Sequence, residues 1–179
     1  MNIDIHRDGG AAGSAPSLRI PEGFPGATVG DDRSPTRLAL PQAMVTQLRE
    51  LAEMSFPFEA CGLLIGTAGH HEVVAHEVVQ ARNLSSERAR DRYILDPEDF
   101  LAADRSARQR CLDIVGIWHT HPEHLAVPSK TDLDAAWEGY SYLIISVDAL
   151  GDTVFKSWRL AGDRFAPEAI EIADPSGDA

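Results

Sequence analysis

The sequence predicts a mixed α/β domain, a curved mixed β-sheet with helices packed on it. Two observations carry that expectation. Short runs of branched apolar residues recur between positions 61 and 172, and stretches with apolar residues at helical spacing interrupt them. The 179 residues, 44% of them hydrophobic and 25% charged, are enough for one soluble core and some additional chain.

Taken in order, residues 1–36 stand apart. Glycines 9, 10, 13, 23, 26 and 30 and prolines 16, 21, 25 and 35 fall here, and Phe24 is the single aromatic. Such a composition cannot bury enough surface to offset chain entropy, so a flexible arm is expected. The folded domain is expected over 37–173, with a frayed acidic end at 174–179. Residues 38–40 read as a short strand. From Pro41, Met44, Val45, Leu48, Leu51 and Ala52 share one helical face, and the helix should stop before Pro57. Residues 61–67 and 72–81 read as a hairpin across a turn containing His70 and His71. A polar loop at 83–90 is followed by a possible short strand at 93–95. Asp96-Pro97-Glu98 looks like the cap and first turn of a helix reaching about Arg110. A strand at 112–118 delivers two histidines, and residues 129–138 read as helical. Residues 140–147 form a buried strand, 152–159 its hairpin partner across Gly151-Asp152, and 165–172 an edge strand.

Charge narrows the partners. Sixteen basic against 28 acidic residues give a formal charge of −12, a poor match for a nucleic-acid backbone or an anionic membrane. The apolar runs are too short to span a bilayer, and no basic stretch followed by an apolar one occurs in residues 1–36, so neither a secretory signal nor a membrane span is expected and a cytoplasmic location is. Cys61 and Cys111 do not make a disulfide framework, and both are expected to be buried thiols.

The chemistry sits in Trp118-His119-Thr120-His121-Pro122 and Pro128-Ser129-Lys130-Thr131-Asp132. On a strand, residues two apart face one way, so His119 and His121 can present both imidazoles to one point while Trp118 packs in the core behind them. Two neutral imidazoles and the Asp132 carboxylate suit zinc, and three protein ligands leave a fourth position for water, whose pKa bound zinc lowers to about 7. A general base must still take the proton; Glu59, in Phe56-Pro57-Phe58-Glu59-Ala60-Cys61-Gly62, is the candidate. Ser129 would donate to the oxyanion, a bond whose loss can cost roughly 100- to 1,000-fold in rate. Each piece has a plain counterpart: a strand can carry two histidines for no reason, Ser129-x-x-Asp132 matches a helix-capping signature, and Glu59 alone could be any surface carboxylate. The combination is the signal, arising by chance on the order of once in a thousand.

These residues resemble the JAMM (MPN+, JAB-type) metalloproteases: an upstream Glu59, then His119-Thr120-His121-Pro122, seven residues, Ser129 and Asp132. The run from Glu59 to Gly66 is similar to the short bacterial members, and the resemblance spans about 37–172. It implies a cytidine-deaminase-like JAB/MPN architecture, zinc on His119, His121 and Asp132, Glu59 acting on the water, and Ser129 assisting the intermediate. It also implies cleavage of a peptide or isopeptide bond after the tail of a ubiquitin-like or sulfur-carrier protein. The 47 residues beyond Asp132 leave little room for the insertions of polyubiquitin-specific members. A Gly-Gly tail could lie along a sheet edge, walled by residues 62–67 or the 123–128 loop. Two other readings stand beside this one: a zinc-dependent small-amide hydrolase, and a non-catalytic MPN binding module. His124 is read as a loop residue near the substrate, His70 and His71 as exposed, and Trp137 as core. A Cys61 thiol that silences the zinc is a remote variant. Oligomeric state is not readable.

Overall fold

The computed structural model describes residues 37–173; the expected arm at 1–36 and the expected frayed end at 174–179 lie outside the described residues. Seven strands and three helices follow in the order β1 (Arg37–Pro41), α1 (Gln42–Ser55), β2 (Cys61–Ala68), β3 (Glu72–Ala81), α2 (Pro97–Gln109), β4 (Asp113–Pro122), α3 (Lys130–Ala135), β5 (Ser141–Val147), β6 (Thr153–Ala161) and β7 (Arg164–Ala173). The mixed α/β class stands, but the expected curved sheet does not. The strands close into a barrel ordered β1-β3-β2-β4-β5-β6-β7. Closure is made by β1, which runs parallel to both β3 and β7. The segment expected as an edge strand is therefore paired on both sides. A substrate tail has no free edge to extend among the described strands.

Closure divides the apolar residues into two clusters. Every strand contributes to the inner one, from Leu38 and Leu64 through Trp118 and Ile145 to Phe155 and Ile170. Helix α1 joins it through Met44, Val45, Leu48 and Ala52, the face its spacing predicts. The outer cluster sets Phe100, Ala103 and Ala107 of α2 against Leu63 and Ile65 of β2 and Ile117 of β4. The Asp96 side chain caps α2 by accepting the Glu98 N–H at 2.7 Å, with Pro97 in the first turn, as the sequence predicts.

Strand alternation then decides which wall each histidine faces. Trp118 points inward, whereas Ile117, His119 and His121 point outward, to the side of α2; Val115 joins the inner cluster because the β2–β4 register shifts beside it. Trp118 is fully buried and donates its indole N–H to the Val79 carbonyl. Gly62 is required beside it: a Cβ there would lie 2.1 Å from the Val79 oxygen and 2.6 Å from Trp118 Nε1. Three smaller expectations fail. The helix expected to 138 ends at Ala135, because the Tyr142 hydroxyl captures the Trp137 N–H at 2.7 Å and carbonyl at 3.1 Å. Trp137 is consequently half-buried rather than core. Residues 93–95 form no strand, only a single bridge between Asn83 and Leu95. No helix among the described residues is long and apolar enough to cross a membrane.

Candidate metal centre

His119 and His121 lie on β4, which runs through both rather than stopping before them. Their Nε2 atoms are 3.0 Å apart. Asp132 enters from the first turn of α3 and places Oδ1 at 3.4 Å from His119 Nε2 and Oδ2 at 3.8 Å from His121 Nε2. All three side chains are buried. Their ligand atoms lie within 4.8 Å of one another, a grouping that could hold a metal ion.

The local chemistry fits a cation there. His121 Nδ1 is 2.8 Å from the Leu125 carbonyl, so this nitrogen carries a hydrogen and the ring turns Nε2 toward His119 and Asp132. Burial, opposed by Asp132 and aided by His121, pushes the His119 pKa down to about 4, so this imidazole is neutral at pH 7. Ligands on a tetrahedral zinc, with bonds of about 2.0–2.1 Å, lie roughly 3.3 Å apart. Two separations, 3.0 Å from His119 Nε2 to His121 Nε2 and 3.4 Å from His119 Nε2 to Asp132 Oδ1, lie close to that value.

The Ser129-x-x-Asp132 pattern turns out to serve both readings. Ser129 is the N-cap of α3: its hydroxyl accepts the Asp132 N–H at 3.2 Å, while its own N–H donates to Asp132 Oδ2 at 2.6 Å. The capping box thus orients the carboxylate toward the histidines and leaves the Ser129 hydroxyl proton free to donate.

Glu59 lies between α1 and β2, buried at 8% exposure. It shares a cleft of about 960 Å³ with His121, Ser129 and Asp132. Burial, then the negative charges of Asp132 and Asp91, push its pKa up to about 8, against the pull of Arg92. A cation held beside Asp132 would offset the second of these causes and lower it. Without metal, the folded state holds the Glu59 proton more tightly than the unfolded chain. Stability is therefore expected to fall as pH rises through about 4.5 to 8. Relative to Glu59→Gln, the metal-free wild type should lose roughly 2–4 kcal/mol across that window, read from urea midpoints at pH 5 and pH 8.

Thr120 is part of the signature, and the structure gives it a task. Its hydroxyl accepts the Ala60 N–H at 2.8 Å, and its own N–H donates to the Ala60 carbonyl at 2.9 Å. This double tie fixes the residue after Glu59 to the strand between the two histidines. Thr120→Val leaves a buried N–H unpaired and is expected to cost about 1–3 kcal/mol in urea denaturation, whereas Thr120→Ser should retain most of it. Two other residues were missed, Tyr93 and Asn83. Tyr93 stacks on His119, and the Asn83 amide bonds the Glu59 carbonyl at 3.0 Å. Long-range pairing brings both to the site, and no local spacing announces it.

The remaining expectations divide. His124 is an exposed loop residue lining the cleft, and His70 and His71 are exposed. The 123–128 loop does wall the cleft through Leu125 and Val127; none of residues 62–67 lines it. Cys61 is buried, but Cys111 is exposed, at the end of α2 with a φ of 57°. Burial, with Glu59 and Asp99, pushes the Cys61 thiol up to about 12. Its sulfur faces the Ala81 and Arg82 carbonyls, which removes the basis for a silencing thiolate.

Fold and donor set together define a small barrel domain carrying a candidate mononuclear metal centre on its outer wall. The chain belongs to a known family of such domains: the family described as prokaryotic homologs of the JAB domain matches residues 41–161. Among its relatives is a desampylase from Haloferax volcanii, 35% identical over 73% of this chain and 89% of that protein. Another, from Thermus thermophilus, is named "Probable TtuB-protein conjugate cleaving protease"; it is 26% identical over 63% of this chain and 72% of its own length. The solution structure of a Desulfitobacterium hafniense protein superposes with a TM-score of 0.68 at 28% identity, covering 76% of this chain and 93% of that one.

Proposed function

We propose that residues 37–173 form a cytoplasmic zinc metallopeptidase that hydrolyses the peptide or isopeptide bond after the tail of a ubiquitin-like or sulfur-carrier protein. The observation that carries this reading is the convergence of His119, His121 and Asp132 in one buried grouping, with Glu59 in the adjoining cleft. The relatives support the substrate class, since one is named a desampylase and another a probable TtuB-protein conjugate cleaving protease.

When bound, zinc would supply a Lewis acid to the attacking water and the scissile carbonyl. His119 and His121 would hold it as neutral donors, and Asp132 would add the charge. Glu59 takes the proton from the water and returns it to the leaving amine; its environment suits both halves, because burial raises its proton affinity toward neutrality. Ser129 donates its hydroxyl to the developing oxyanion. The apolar cleft wall, including Leu84, Ile94, Leu125 and Val127, receives the extended tail in place of the absent sheet edge.

The test is to load the purified full chain with zinc and incubate it with a ubiquitin-like fusion that carries a reporter after its C-terminal glycines. Release of the reporter, dependent on zinc, is expected. Small amides cleaved without any protein partner would favour the amide-hydrolase reading. Stoichiometric zinc with no hydrolysis of any such fusion would favour the binding module.

A further inference from the structure

The two histidines are secured in different ways. His121 has its Nδ1 anchored on the Leu125 carbonyl at 2.8 Å, which fixes tautomer and ring plane together. His119 has no such anchor. Its Nδ1 is buried and finds no hydrogen-bond partner among the described residues. Metal-binding imidazoles almost always donate that second N–H to a carbonyl, carboxylate or water, and the bond orients the ring. His119 has an aromatic face instead: Tyr93 stacks on it, with ring centroids 4.5 Å apart and planes inclined by 28°.

Tyr93 is itself held from both sides. Asn83 Nδ2 donates to the Arg92 carbonyl at 3.2 Å, and Asn83 Oδ1 accepts the Ile94 N–H at 3.0 Å. The same amide donates to the Glu59 carbonyl at 3.0 Å. One side chain therefore ties both neighbours of Tyr93 to the backbone of Glu59, so the aromatic wall and the carboxylate share a common mount.

We propose that Tyr93 is the positioning residue of His119, its ring replacing the hydrogen bond that His119 Nδ1 lacks, with Asn83 setting the height of that ring. The inference rests on the reading of His119 as a metal ligand. It concerns the ring face and not the hydroxyl. Stacking at this distance restricts rotation of the imidazole about its Cβ–Cγ bond and keeps Nε2 aimed at His121 and Asp132.

The experiment is zinc affinity of the full-length chain by competition with a chromogenic chelator, for wild type, Tyr93→Phe and Tyr93→Leu. Tyr93→Phe keeps the ring and should bind zinc within about twofold of wild type. Tyr93→Leu should bind roughly tenfold or more weakly, in the range seen when an outer orienting partner is lost. A merely structural tyrosine would lower the unfolding midpoint of Tyr93→Leu and leave the zinc affinity of the folded protein unchanged, which would overturn the inference. So would a Tyr93→Phe defect equal to that of Tyr93→Leu, because the hydroxyl would then be the agent. Should Tyr93→Leu not fold, Tyr93→Met carries the same comparison with a flexible side chain that fills the space. A wild-type chain that takes up no zinc overturns the ligand reading itself. Equal affinities in wild type and the ring-deleted variant overturn the Tyr93 inference alone.

Discussion

Glu59→Gln is expected to lower turnover of a ubiquitin-like fusion by about 10²- to 10⁴-fold while the protein keeps its zinc, the range in which a positioned general acid–base contributes. The substitution is nearly isosteric and leaves the backbone bonds of Glu59 in place, its N–H to the Ala89 carbonyl and its carbonyl to Asn83. Glutamine cannot take a proton from water, so the loss should fall on kcat rather than on KM. Stability moves the other way. Glu59 is buried with a pKa near 8, and removing its ionisation should make the metal-free variant more stable than wild type at pH 8. Activity lost with stability gained cannot be mistaken for misfolding. Single-turnover kinetics, zinc content and urea midpoints on one preparation check all three; unchanged kcat would remove Glu59 from the mechanism.

The second large effect belongs to Asp132. Its Oδ1 faces His119, and its Oδ2 closes the capping box by accepting the Ser129 N–H. Asp132→Ala therefore removes a ligand and a helix cap together. Asp132→Asn separates them: an amide oxygen can still accept from Ser129, but the negative charge is gone. Zinc affinity in Asp132→Asn is expected to drop more than about 100-fold, because even outer-shell partners of a metal are worth 10- to 100-fold. The stability cost should stay small in Asp132→Asn and reach about 1 kcal/mol in Asp132→Ala, the usual value of a lost cap or its reciprocal bond. Chelator competition and metal analysis on the two variants read the ligand role directly. An Asp132→Asn protein that binds zinc as wild type does would show that the carboxylate only caps α3.

The sequence made the donor set legible because local rules govern its pieces. Residues two apart on a strand share a face, which aims His119 and His121 together; a serine three residues before an aspartate at a helix start closes a capping box, which orients Asp132. The inner face of α1 and the Asp96 cap of α2 were legible for the same reason. Periodicity reaches one turn or one strand pair, and each of these features lies within that reach.

Barrel closure lies outside it. Arg37 pairs with Ala169 and Leu38 with Ile170, contacts that no local pattern encodes, so 165–172 read as an edge and the sheet as curved rather than closed. The same limit shortened α3, where Tyr142 takes the Trp137 backbone from a strand yet to come. It also hid the supports of the site. Thr120 fastening Ala60, Tyr93 lying on His119 and Asn83 gripping Glu59 all join residues separated by 24 or more positions. By itself, then, the sequence determined which groups are candidates to bind a metal and move a proton, since side-chain chemistry and short-range geometry are written residue by residue. Only the tertiary structure decided how those groups are held, which wall they face and what closes over them, because those depend on pairings between distant strands whose energy exists only once the barrel is closed.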